Sequence, residues 1–128
     1  DVQIDARGML YAAHGHTSRV LVYDTNAGAK VRELSVGARP WVAYAEHPFT
    51  GISHLLVPSF DDQGVAIIDG LSLTTRVVPR IADRQSYGVN YSPLSPNRAF
   101  VMNRARRDVA VVDVQTGLAA NVIQMQGT

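Results

Sequence analysis

The sequence predicts an all-β fold assembled from three repeats of about forty residues. A near-identical run recurs three times, as Val20-Leu21-Val22-Tyr23-Asp24, Val65-Ala66-Ile67-Ile68-Asp69 and Val109-Ala110-Val111-Val112-Asp113. Its aspartates stand 45 and 44 residues apart. No window carries a sustained i, i+3, i+4, i+7 apolar stripe, so helix is not expected. Short β-branched runs at a period in the forties describe the blades of a β-propeller, each a four-stranded meander.

The elements follow from this register. A strand precedes each aspartate strand by about ten residues: Met9–Ala13, His54–Pro58 and Arg98–Met102. Weaker first strands lie at Val2–Ile4, Trp41–Tyr44 and Gly88–Tyr91, and fourth strands at Lys30–Leu34, Arg76–Val78 and Asn121–Met125. The blades thus span about 1–37, 38–83 and 84–128 of a single domain. Asp24-Thr25-Asn26-Ala27-Gly28 and Asp113-Val114-Gln115-Thr116-Gly117 share Asp-x-x-x-Gly. The carboxylate accepts from the next backbone N–H groups and the glycine takes positive φ. The middle blade reads Asp69-Gly70-Leu71-Ser72-Leu73-Thr74, which predicts a turn that closes differently. Pro79 falls in its fourth strand, an edge position where proline is tolerated.

Composition narrows the function classes. The 128 residues suffice for a domain with a core, and 46% apolar against 18% charged residues is globular. A formal charge of +1 provides no global field for nucleic acid. Cysteine is absent, which excludes disulfides and thiolate metal sites. No apolar run approaches the roughly 20 residues of a helical membrane span. The chain begins at Asp1 without methionine or a signal-like segment. That leaves removal of an upstream stretch, or origin in a longer product, as the expectation.

The runs Leu10-Tyr11-Ala12-Ala13 and Val20–Thr25, with Gly28, Val31 and Val36-Gly37, resemble the YVTN-type β-propeller repeat. Val109–Gly117 resembles it too, and the middle blade matches least well. The likeness extends over essentially the whole chain and is similar to the propeller domain of haem-containing nitrite reductases. It implies six to eight blades in a complete ring and a periplasmic or extracellular setting. It names no ligand, because propellers host unrelated sites.

In a propeller, the loops between second and third strands and between blades share one face, around the mouth of the central channel. On that face the sequence places His14 and His16, Arg104, Arg106 and Arg107, and, from the blade linkers, Arg39, Trp41, Arg84 and Tyr87. His14-x-His16 has metal-ligand spacing but no third ligand in register, so no metal or other cofactor is expected. The arginines suit a carboxylate or phosphate, with Asp108, Asp61 and Asp62 as neutralising neighbours. No Gly-x-Ser-x-Gly, phosphate loop or His-Glu-x-x-His is present. Adjacent Asp61 and Asp62 do not establish an acid–base pair.

The expectation is a non-enzymatic binding or protein-interaction module, with an anionic ligand or protein partner on the mouth face. The alternatives are a redox or haem-associated propeller enzyme, with His14 or His16 as axial ligand, or a fragment of a larger single-chain propeller. Three blades leave two sheet faces uncovered, so a homodimer closing one six-bladed ring is expected.

Overall fold

The structure is a computed structural model, and the residues it describes are 1–37, 40, 43–46, 53–59, 64–78, 86–91 and 97–126. They form twelve strands. The first sheet holds β1 (Val2–Ile4), β2 (Met9–His14), β3 (Arg19–Asp24) and β4 (Ala29–Ser35). The second holds β5 (Ala43–Glu46), β6 (Ser53–Pro58), β7 (Val65–Asp69) and β8 (Thr75–Val78). The third holds β9 (Ser86–Tyr91), β10 (Arg98–Asn103), β11 (Asp108–Asp113) and β12 (Ala119–Gln124). Each sheet is an antiparallel meander in chain order. No helix among the described residues is long and apolar enough to cross a membrane.

Successive strand residues project to opposite faces of a sheet, so one run feeds two cores. On sheet one, Tyr11, Val20, Val22 and Leu34 form a single buried cluster with Leu55, Val57, Ala66 and Ile68 of sheet two. The alternate residues of sheet two, Leu56, Val65, Ile67 and Val78, cluster instead with Ala99, Val101, Ala110, Val112 and Val114 of sheet three. Sheet two is therefore covered on both sides. That explains why Leu55-Leu56-Val57 and Val65-Ala66-Ile67-Ile68 are buried without alternation. Each buried valine, leucine or isoleucine among them contributes about 1.5–3 kcal/mol by leaving water.

The repeat is also directional. Tyr11, Leu56 and Phe100 hold equivalent positions, and the first two face the following sheet. Leu55 and Ala99 face the preceding one. Two faces remain outside these cores. Val2, Ile4, Leu10, Ala12, Leu21 and Tyr23 line up by register on the outer side of sheet one. Phe100, Met102, Val109 and Ile123 do so on sheet three. Val2 and Ile4 are 53% and 56% exposed, Met102 and Ile123 46% and 49%.

The three aspartate turns close alike, which corrects the expectation for the middle repeat. Asp24 Oδ1 accepts from the N–H groups of Asn26 and Ala27, at 2.8 and 3.1 Å. Asp69 Oδ1 accepts from Leu71 and Ser72, at 2.9 and 2.8 Å. Asp113 Oδ1 accepts from Gln115 and Thr116, at 2.9 and 2.8 Å. Gly28 and Gly117 take φ of 65° and 70°, and Leu73 takes 56° at the same place. The middle turn needs no glycine because a leucine accepts the left-handed conformation there. Pro79, expected in the fourth strand, lies outside the described residues, and β8 ends at Val78.

Candidate functional site

Two inter-sheet hydrogen bonds define which ends of the sheets lie together. Arg7, in the β1–β2 loop, donates through Nη2 to the Gly70 carbonyl in the β7–β8 turn, at 2.5 Å. Arg76 of β8 donates through Nη1 to the Gln115 carbonyl in the β11–β12 turn, at 2.7 Å. The three aspartate turns therefore share one end of the molecule. The β2–β3 and β10–β11 hairpins share the other, where the expected mouth face places them.

At the hairpin end of sheet one, His14 closes β2 and is exposed. Its Nδ1 lies 2.9 Å from the Thr17 hydroxyl, and its ring meets that of His16 edge-on, with centroids 6.3 Å apart. No group of three or more potential metal-ligating residues occurs among the described residues. Arg19, the register partner of His14, donates to Glu33 Oε2 at 2.9 Å.

Sheet three puts different chemistry at the same end. Asn103 and Asp108 replace His14 and Arg19 as the closing pair, and both are buried. Asn103 Nδ2 donates to Asp108 Oδ1 at 2.6 Å, and Arg106 Nε donates to Asp108 Oδ2 at 3.0 Å. Burial opposes the charge on Asp108, but the Asn103 and Arg106 hydrogen bonds outweigh it and hold the carboxyl below its ordinary range. Arg106 is thus engaged by Asp108, as the neutralising role of that aspartate implied. Arg104 and Arg107 are exposed, and neither is paired with a carboxylate among the described residues. Arg107 adopts φ of 55°, matching Ser18 at 53° in the first hairpin. Asn103 was not singled out from sequence; its position opposite Asp108 across a four-residue turn is the signal that locates it.

Arg39, Trp41 and Arg84 lie outside the described residues, as do Asp61 and Asp62. Tyr87 is the second residue of β9.

The turn end, to which sequence reasoning assigned no site, carries two features. In one, Asp5 has a fully buried side chain. It accepts from the Arg7 guanidinium at 2.6 Å, the Tyr11 hydroxyl at 3.2 Å, and the N–H groups of Arg7 and Met9 at 2.9 and 3.0 Å. Burial opposes its ionisation, yet the Arg7 and backbone hydrogen bonds prevail and lower its pKa. Burial, reinforced by the Asp5 charge, pushes the Tyr11 phenol up to about 12. The other feature is a cleft of about 480 Å³ between sheets two and three, bordered by His54, Arg76 and Gln115.

This architecture is shared with known propellers. The chain superposes on Kuenenia stuttgartiensis hydrazine synthase with a TM-score of 0.79 at 17% identity, over 98% of this chain and 35% of that one. The dihydro-heme d1 dehydrogenase NirN, in complex with DHE, gives 0.78 at 13% identity, over 98% and 28%. AztD from Citrobacter koseri gives 0.67 at 15%, over 97% and 34%. These are propeller proteins, and at such identities the likeness is one of fold. The chain spans about a third of their length. No protein-family model matches the sequence, and no curated protein does.

Proposed function

We propose that this chain supplies three consecutive blades of a β-propeller that acts as a non-catalytic binding module, with an anionic ligand held on the hairpin face. The directional sheet faces carry the reading. A forward face at Phe100, Met102, Val109 and Ile123 and a backward face at Leu10, Leu21 and Tyr23 remain outside the two cores. They have the same polarity as the two faces that already pack inside the chain. An apolar surface on the order of several hundred Å² at each end suits a further blade. Pairing with a second copy about a two-fold axis sets forward face on backward face twice and closes a six-bladed ring.

Continuation into further blades of a longer chain is the competing arrangement, and the chain's spanning about a third of the matching structures is consistent with it. Light scattering separates the two. A species at twice the 13.9 kDa of the chain supports the two-fold ring, and a stable monomer overturns it.

On the hairpin face, the exposed cations Arg104 and Arg107, which pair with no carboxylate among the described residues, are the anion contacts, with Arg106 holding the loop through Asp108. Phosphate or citrate is expected to raise the melting temperature, and Arg104→Ala to abolish that rise. A rise that survives the substitution overturns the anion assignment. A haem-associated reading draws on the enzymes among the matching structures and on His14, whose ring the Thr17 hydroxyl orients through Nδ1. A colourless purified protein that leaves the spectrum of added haem unchanged excludes it.

A further inference from the structure

The cleft between sheets two and three lies at the turn end, opposite the hairpins that carry His14 and Arg104. Its volume of about 480 Å³ is in the range of small-molecule sites. Its floor is apolar, formed by Ile67 and Val114, which are 3% and 1% exposed. Its rim is polar and includes His54, Thr74, Arg76 and Gln115.

Arg76 is positioned rather than loose. Its Nη1 donates to the Gln115 carbonyl at 2.7 Å, and it passes directly over Gly117, where an added Cβ would lie 2.7 Å from Arg76 Cδ. Among the described residues no carboxylate pairs with it. Asp69, also on the rim, already commits Oδ1 to the Leu71 and Ser72 N–H groups.

The junction of sheets one and two shows the contrast. There Arg7 also donates to a turn carbonyl, but its charge is met by the buried Asp5 and its guanidinium also touches the Tyr11 hydroxyl. One junction is plugged and neutralised, and the other is open, its arginine met by no carboxylate among the described residues.

We propose that this cleft binds a small organic carboxylate, with its apolar body on Ile67 and Val114 and its carboxylate on the Arg76 guanidinium. Guanidinium N–H groups not spent on Gln115 supply the fork that such an anion needs.

The test is a titration of the uniformly ¹⁵N-labelled full chain with benzoate, and separately with acetate, which has the charge without the ring. Benzoate is expected to shift the amides of Thr74, Thr75 and Gln115 saturably, and acetate to bind at least tenfold more weakly. Arg76→Gln should weaken benzoate at least tenfold. Gly117→Ala, which displaces Arg76 without removing its charge, should do the same. Gly28→Ala has the same backbone constraint but nothing near its Cβ, and should retain binding. The glycine pair decides the matter should Arg76→Gln fail to fold. Shifts that do not saturate, that persist in Arg76→Gln or Gly117→Ala, or that centre on residues 104–107 overturn the proposal. The last outcome would leave the hairpin-face anion site standing, so the two assignments fail separately.

Discussion

Leu73 stands in the middle repeat where Gly117 stands in the third, and both have left-handed backbone, at φ of 56° and 70°. For a leucine this conformation costs about 1–2 kcal/mol. Its side chain offsets part of that by packing against the cluster around Tyr11 and Ile68.

The equivalent glycines allow the backbone cost to be separated from crowding. Gly28→Ala is expected to destabilise the fold by about 1 kcal/mol, from the backbone alone. Gly117→Ala should cost about 1 kcal/mol more, because its Cβ meets Arg76 and disturbs the bond to Gln115. Urea unfolding of the two variants measures the difference, and equal midpoints would show that Arg76 yields freely.

Arg7→Ala removes the cation beside a buried carboxylate and one inter-sheet bond together. Asp5 keeps two backbone donors and the Tyr11 hydroxyl, and Arg7 is 43% exposed, so the loss is placed at about 2 kcal/mol, below that of a fully buried pair. Tyr11→Phe should cost about 1 kcal/mol, with the ring's packing intact. Chemical denaturation at neutral pH checks both values.

Acid should unfold the protein through a small set of aspartates. Asp5, Asp69, Asp108 and Asp113 all have pKa values lowered below the ordinary 3.8. Asp113 owes this first to the Thr116 N–H, whereas in the other three burial opposes the shift and hydrogen bonds overcome it. A folded-state pKa below the unfolded value contributes stability that is complete above the unfolded pKa and is lost as pH falls through the folded one. Stability is therefore expected to be level with respect to these groups above about pH 5 and to fall below about pH 4. Asp5→Asn should flatten that fall, measured as the unfolding midpoint against pH.

Met102→Glu places a charge on the outer face of sheet three at a half-exposed position. It should leave the β-sheet circular dichroism unchanged while converting a two-fold ring to monomer in sedimentation. A variant that remains dimeric would put the contact elsewhere.

The three sheets were legible because the aspartate run repeats at a nearly constant spacing, and its unbroken apolar character marks strands with two buried faces. Strand ends were less so. Ser86 and Tyr87 join β9 beyond the expected Gly88, since a ladder extends wherever backbone partners persist and side-chain pattern does not report that. The middle turn was misjudged because a missing glycine suggests a different conformation, whereas the carboxylate of Asp69 and the packing of Leu73 suffice to impose the same one. At the hairpin end, the cluster of arginines was evident, but that Asp108 engages Arg106 depended on its being buried against Asn103. The Asp5–Arg7–Tyr11 group is close in sequence, but the stretch 5–11 does not report that Asp5 is buried, and the cleft beside Arg76 joins residues of two different repeats and leaves no local pattern.

The Arg7 and Arg76 bonds between sheets each end on main-chain oxygen, at Gly70 and Gln115. A carbonyl is present whatever side chain the position carries, so these two bonds place no demand on the side chains at positions 70 and 115 themselves. Those two positions can then diversify under selection while the scaffold they stand on stays latched, which separates the evolution of recognition from the maintenance of shape.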